Sequence, residues 1–394
     1  MRKIQAVALA TSSLLLIQMG TAVAATSKNS NPASSKSAVT IPITLPVAQT
    51  GAITFANAES KFDQIPDVAW RRTQDVIAAN KAVTIPTTIH IGPNTKASLT
   101  AITAGLDRLN KLFSGFRHVS TYGGIVYNAQ DEQWAQKDAA AYFKAQKIGG
   151  SGARAENIKQ LVQAGCEIQG TTVVNCSGGM SWDFRDSNNP AGGAYYSVET
   201  GQANGKPIEF WTDANKNVGP MTQVNHEATH NYQTAQFFTT PLAKGQNISS
   251  DQAHAFVPWW FGEGHANAIG IASFIDNLDD YRNARIENVT RNPGSRTKLP
   301  ALTASGLKSF LTSKQVADPG NPNYPLAYTI GYAATEVLVA VGGPQSTLAL
   351  YSLGAQGKNW ETAFKSVYGI SWDEGATVLG KVLAAEYAAK PINS

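Results

Sequence analysis

The chain carries no excess of charge of either sign. Its 32 basic and 28 acidic side chains leave a formal net charge of +4 over 394 residues. So balanced a sequence lacks the electrostatic footprint of a nucleic-acid binder, and no nucleic-acid partner is expected. Beyond the N-terminus no apolar run reads as long enough to span a bilayer, which argues against stable membrane insertion. No repeat of fixed period is visible, which sets aside repeat architectures. Cysteine is scarce as well: Cys166 and Cys176 stand alone in CEIQGTTVVNC, where Gly170 can turn a short hairpin and bring them together. In an oxidising compartment a disulfide is expected; the other reading is two buried thiols, and neither places the pair in the chemistry.

What is present is apolar and long enough for a substantial core, with 43% hydrophobic residues, and the length favours two lobes. The first residues set Arg2 and Lys3 before an apolar run that ends in Ala22-Val23-Ala24. That order reads as a cleaved secretory signal over 1–25, cut near Ala24 or Ala25, and implies a secreted protein that is extracellular, periplasmic or associated with the cell surface. Residues 26–48, rich in Ser, Asn, Lys, Ala and Pro, read as a flexible linker or a pro-segment. From 49 to 215 short β-rich runs alternate with amphipathic stretches: TTIHIG, Lys96 to Phe113, GGIVYN, Asp131 to Lys147, GGAYYSVE and PIEFWTD. From 216 to 394 the pattern turns helical. The expectation is an α+β fold with a mixed α/β N-terminal lobe, a mostly helical C-terminal lobe and a cleft where they meet.

At that junction lies VNHEATHNYQT, from Val224 to Thr234. Pro220 can open a helix there, and Val224, Ala228 and Ala235 share one side of it. His226 and His230, one turn apart, then point the same way, at the spacing that lets two imidazoles reach one zinc ion. Glu227, just off that axis, can touch a water on the metal without ligating it. The pattern is scarce by chance in a chain with six histidines.

A catalytic zinc needs a third protein ligand. Gln233 and Gln236 stand where the metzincin pattern wants Gly and His, so that class is out. Downstream, in VPWWFGEGHANAIG, Glu263 sits among Gly262, Gly264, Ala266 and Gly270 on a helix that Pro258 can start. Small side chains let two helices approach closely, and Glu263 is the expected third ligand. Asn267, four residues on, can bond the free ring nitrogen of a zinc histidine. His265, two positions from Glu263, should point elsewhere. His90, His118 and His254 read as ordinary histidines, and Trp259 and Trp260 as packing rather than a subsite.

HEATH followed by WWFGEGHA resembles the gluzincin metallopeptidases, whose pattern is H-E-x-x-H with a downstream E-G-x-A helix. The tail is similar to the MA-like gluzincins, with YTIGYAATEVLVAVGG followed by GKNWETAF, so the likeness covers roughly 220–388. No G-A-M-E-N exopeptidase motif is present, and the His230 to Glu263 interval is longer than in the thermolysin-like and aminopeptidase branches. The resemblance implies a zincin-like fold and one zinc per chain on His226, His230 and Glu263. It implies Glu227 as general base and a peptide or protein substrate. Tyr328 matches the position from which some gluzincins supply an oxyanion-stabilising hydroxyl; its other reading is a core tyrosine. The rival functional expectation is an extracellular or cell-surface binding protein that retains the fold and hydrolyses nothing. A third is a zinc hydrolase of cell-wall peptides or another amide.

Overall fold

A computed structural model describes residues 40–146, 155–164, 166–170, 172–184, 193–200, 202–203, 206–207, 219–238, 251–315 and 321–393. The elements run α1 (Ile65–Ala79), β1 (Thr87–Ile91), α2 (Leu99–Leu112), β2 (Tyr122–Tyr127), α3 (Glu132–Ala145), α4 (Ala155–Val162), β3 (Cys166–Gln169), β4 (Thr172–Phe184) and β5 (Gly193–Thr200). Two-residue strands β6 (Gln202–Ala203) and β7 (Lys206–Pro207) pair with each other. Helices follow: α5 (Gly219–Ala235), α6 (Asp251–Phe256), α7 (Phe261–Phe274), α8 (Leu278–Val289), α9 (Ala304–Leu311), α10 (Ile330–Gly342), α11 (Pro344–Ala355), α12 (Trp360–Tyr368) and α13 (Trp372–Ala389). The signal segment and most of the linker lie outside the described residues, as does PIEFWTD beyond Pro207.

The protein is mixed α/β, in keeping with an α+β class. Its main sheet has the order β1-β2-β5-β4-β3, with β1, β2 and β5 parallel and β4 and β3 antiparallel to their neighbours. β2 is buried along its whole length because helices cover both faces. Tyr122 and Val126 enter the main core, while Ile125 and Tyr127 enter a smaller cluster with Ala135, Phe143, Leu161 and Tyr195. β4 alternates in the same way: Met180 and Trp182 pack on the small cluster, whereas Gly179 and Asp183 face α5. Gly170, at φ +64°, makes the β3–β4 turn, and Cys166 and Cys176 form the disulfide across that hairpin.

The main core is continuous across residue 215: Ile102, Leu106 and Leu109 of α2 belong to the same apolar cluster as Val224 of α5 and Ile269 of α7. α1 packs on α10, and Arg72 of α1 donates to the carbonyls of Ala340 and Val341 at the α10 C-terminus, at 2.9 and 2.7 Å. Residues 40–48, at the end of the expected linker, run along the body with bends at 43, 45 and 46. Ile41, Ile43, Leu45 and Val47 turn inward, and Val47 N–H donates to Val367 O at 2.8 Å. The expectation that no later run could span a bilayer needs correction, since Tyr324–Gly342 passes on length and hydropathy. That stretch is 89% buried within the protein, so its apolar surface is already satisfied by other helices.

Candidate metal centre

α5 begins with Gly219-Pro220 and lies between the β4/β5 face of the sheet and helices α2 and α7. It is sheathed on nearly all sides although much of it is polar: Asn225, His226, Glu227, Thr229, Asn231, Gln233 and Thr234 are all buried, as is Gln236 just past its end. Each buried polar group therefore needs a partner. Asn225 Nδ2 donates to Gly105 O and Ser273 Oγ, both at 3.0 Å, and Gln236 Nε2 donates to Arg117 O at 2.8 Å.

α7 crosses α5 with backbone against backbone. A Cβ on Gly270 would stand 2.8 Å from His226 N, and one on Gly264 would stand 2.3 Å from the carbonyl carbon of Gly331 on α10. Of the small residues flanking Glu263, Gly270 therefore admits α5 and Gly264 admits α10, while Gly262 faces open space. Trp259 and Trp260 are buried, with their indole N–H groups on Ser313 Oγ and Leu311 O.

This crossing brings together His226, His230 and Glu263, a cluster able to hold a metal ion. His226 Nε2 and His230 Nε2 are 3.1 Å apart, and each is 3.2 Å from Glu263 Oε2. A triangle of that size has its centre about 1.8 Å from each corner, so an ion at the ~2.0–2.1 Å typical of protein ligands sits just off its plane.

The hydrogen bonds behind the ligands determine which lone pairs face that point. Asn267 Nδ2 donates to Tyr328 O at 3.4 Å, which turns its Oδ1 to His226 Nδ1 at 2.8 Å. Gln233 Oε1 accepts from His230 Nδ1 at 2.9 Å. With both Nδ1 atoms donating, both Nε2 atoms present lone pairs to the same point as the carboxylate oxygen. Two Nε2 lone pairs and a carboxylate oxygen converging on one point fit a cation, whether a proton or a metal ion. Glu263's other oxygen accepts the Tyr324 hydroxyl at 2.5 Å.

The charges agree with this picture. Burial alone would raise the Glu263 carboxyl, but the two histidines hold it well below its usual value. Burial disfavours the His230 imidazolium, yet Glu263 outweighs burial and lifts His230 to about 9, so a protein-only cluster would hold a proton where a dication fits better. Tyr324 and Tyr328 are both raised well above the usual phenol value, first by burial and then by the Glu263 charge, so both hydroxyls stay protonated.

Glu227 is 4% exposed, and its Oε1 accepts from Gln223 Nε2 at 2.7 Å. Gly179 of β4 lies alongside: a Cβ there would be 2.9 Å from Gln223 Cγ and 3.1 Å from Glu227 Oε1. The disulfide strand thus runs past the cluster, closer than the sequence suggests. The Tyr328 ring stacks near His226 with centroids 6.0 Å apart. His265 is no ligand; it is fully buried between Gln233 and Thr347, and burial pushes its pKa down to about 3. His90 is exposed beside Asp138, and His118 Nδ1 meets Val119 O. His254 is exposed, with its ring 6.4 Å from that of His230.

Sequence reasoning missed Gln223, Gln233 and Tyr324 as partners of the cluster. Gln223 and Gln233 lie four and three residues from Glu227 and His230, so helical periodicity was the available signal for them, whereas Tyr324 reaches Glu263 across 61 residues and left none. Asp183 was missed too. Burial raises its pKa to about 6 although Thr234 and Asn231 hydrogen-bond it, with Asn231 Nδ2 at 2.6 Å.

Compared with known protein families, curated proteins and solved structures, the chain matches none. The functional reading therefore rests on the chemistry of the site.

Proposed function

We propose that this chain is a secreted, zinc-dependent peptidase of gluzincin type with a zincin-like fold, using one zinc per chain. One observation carries the reading: two imidazole lone pairs and a carboxylate oxygen converge within 3.2 Å of one another, and the next side chain on α5 is the buried carboxylate of Glu227. Two nitrogens and one oxygen suit zinc and leave a position open. A zinc ion held there supplies Lewis-acid activation of water and of a carbonyl group.

The protein side chains do the rest. Glu227, steadied by Gln223, takes a proton from the attacking water and returns it to the leaving amine. A binding protein gains nothing from a base placed there. Tyr328 keeps its proton and can donate to the oxygen that gains charge when a carbonyl is attacked. A peptide substrate is supported by β4, since among the described residues no strand pairs with the outer edge of Ser177–Phe184. An extended peptide can add to such an edge beside Glu227 through backbone hydrogen bonds. The disulfide is compatible with an extracellular protein and supports secretion.

The test is digestion of a broad peptide library by the purified protein, with and without a zinc chelator, alongside Glu227→Gln. The variant should keep its zinc while hydrolysis falls about 10²- to 10⁴-fold. Unchanged cleavage by the variant would rule out the mechanism. Zinc binding without any cleavage by the parent would establish the binding-protein reading instead.

A further inference from the structure

His265 lies two residues beyond Glu263, fully buried, and both its ring nitrogens are engaged. Nδ1 meets Gln233 Nε2 at 2.8 Å, and Nε2 meets Thr347 Oγ1 at 2.8 Å. Thr347 belongs to α11, an element that contributes no ligand. Two backbone carbonyl oxygens, which can only accept, fix the direction of every proton along this path. Gly262 O accepts from Gln233 Nε2 at 3.0 Å, which turns the amide nitrogen toward His265 and Oε1 toward His230. Pro344 O accepts the Thr347 hydroxyl at 2.6 Å, which leaves Thr347 Oγ1 as acceptor for His265.

One arrangement satisfies all of these bonds. His265 donates from Nε2 and offers the Nδ1 lone pair to Gln233. Gln233 then has its two hydrogens on Gly262 O and His265, and its oxygen must accept from His230 Nδ1. When a metal ion takes the place of the cluster's proton, His230 then has its lone pair on Nε2, the nitrogen that faces His226 and Glu263. Reversing any link sets two donors or two acceptors face to face in a site without exposed surface, a substantial penalty.

We propose that Thr347, His265 and Gln233 form a buried hydrogen-bond relay that holds His230 in its metal-binding tautomer. His265 and Thr347 are positioning residues that act on the metal through Gln233 and His230. The proposal rests on the reading of the cluster as a metal site. It accounts for a buried histidine and a buried threonine that the peptidase reading leaves without a task.

The test compares Thr347→Val with Thr335→Val. Each removes one buried threonine hydroxyl with little change of shape, and Thr335 bonds Gly331 O within its own helix, with no hydrogen bond to the relay. Zinc(II) is titrated into each folded protein against a competing chelator, and thermal unfolding is followed in parallel. Both variants are expected to lose some stability. Thr347→Val alone should weaken zinc binding, by about 10- to 100-fold as for other partners of ligating histidines. ¹⁵N NMR of the histidine rings in the zinc-loaded parent gives a readout that needs no variant: His265 should carry its proton on Nε2 and His230 on Nδ1. A parent that binds zinc with His265 protonated on Nδ1 overturns the relay, as does equal zinc affinity in the two valine variants. A parent that binds no zinc overturns the metal reading and the relay with it.

Discussion

Replacing Gly270 by alanine tests whether the α5–α7 crossing sets the metal geometry. The added Cβ would lie 2.8 Å from His226 N and 2.9 Å from His226 Cα. Comfortable contact between such atoms begins near ~3.5 Å, so the helices must part by about 0.6 Å or more, and with backbone on both sides no side chain can swing away. Glu263 is two turns earlier on the same side of α7, so the separation reaches the ligand triangle. Its 3.2 Å edges to His226 and His230 would lengthen toward ~3.8 Å, so bonds of ~2.0–2.1 Å would be reached only with the ion in the plane of the three ligand atoms, away from the off-plane position that a tetrahedral site with an open corner needs. Overpacking of this kind costs about 1–3 kcal/mol, offset by up to ~1 kcal/mol of helix propensity gained on leaving glycine. The expected outcome is a net loss of about 1–2 kcal/mol in urea unfolding under chelator, and at least ~10-fold weaker zinc binding. Gly262→Ala is the control, because nothing lies within 4 Å of its Cβ, and it should keep parental zinc affinity and gain up to ~1 kcal/mol of stability from helix propensity. Parental zinc affinity in Gly270→Ala would refute the claim that this contact sets the site.

The two tyrosines should separate by role: Tyr328→Phe lowers turnover about 10²- to 10³-fold with zinc retained, whereas Tyr324→Phe, which frees Glu263 Oε1, weakens zinc itself. Equal effects of the two on a zinc titration would contradict this. Asp183 supplies a pH dependence. Its pKa is raised from 3.8 to about 6 by burial, so between those values the folded state binds more protons than the unfolded state, and stability falls as pH rises through that window. Asp183→Asn should therefore gain on the order of 1–3 kcal/mol over the parent at pH 8 and little at pH 4, as measured by unfolding of the metal-free proteins. In the buried group formed by Arg285, Glu336 and Glu386, with contacts of 2.6 and 2.5 Å, Arg285→Met leaves two carboxylates without their cation and should cost about 3–5 kcal/mol in urea unfolding. A loss below ~1 kcal/mol would mean that the carboxylates escape to water.

The site was legible where one helix carries its own pattern. His226, Glu227 and His230 are fixed by spacing alone, and Glu263 and Asn267 follow from a second helix with small neighbours. Local spacing cannot show which helices meet, so Tyr324, which reaches Glu263 across 61 residues, stayed hidden. β4 was legible only as far as Cys176, the second arm of the expected hairpin; beyond it Gly178 and Gly179 interrupt the pattern, and Ser177–Phe184 is held by pairing with β5. Its second glycine is what allows the strand to lie against Gln223 and Glu227. Residues 40–48 read as linker because their composition is that of one, although every second side chain packs on the core.

The polarity of α5 bears on the order in which the molecule assembles. A helix with so many buried amides, hydroxyls and imidazoles gains little from collapse against a loose apolar surface, because each of those groups gives up water before its partner is in place. Its partners come from α2, α7, α11 and β4, at Gly105, Ser273, Ser352 and Asp183. α5 can therefore settle only after these elements have found one another, which makes the metal cluster a late product of folding. A chain still acquiring its structure would hold the histidines and glutamate apart, and the capacity to hold a metal ion would arrive together with the finished fold.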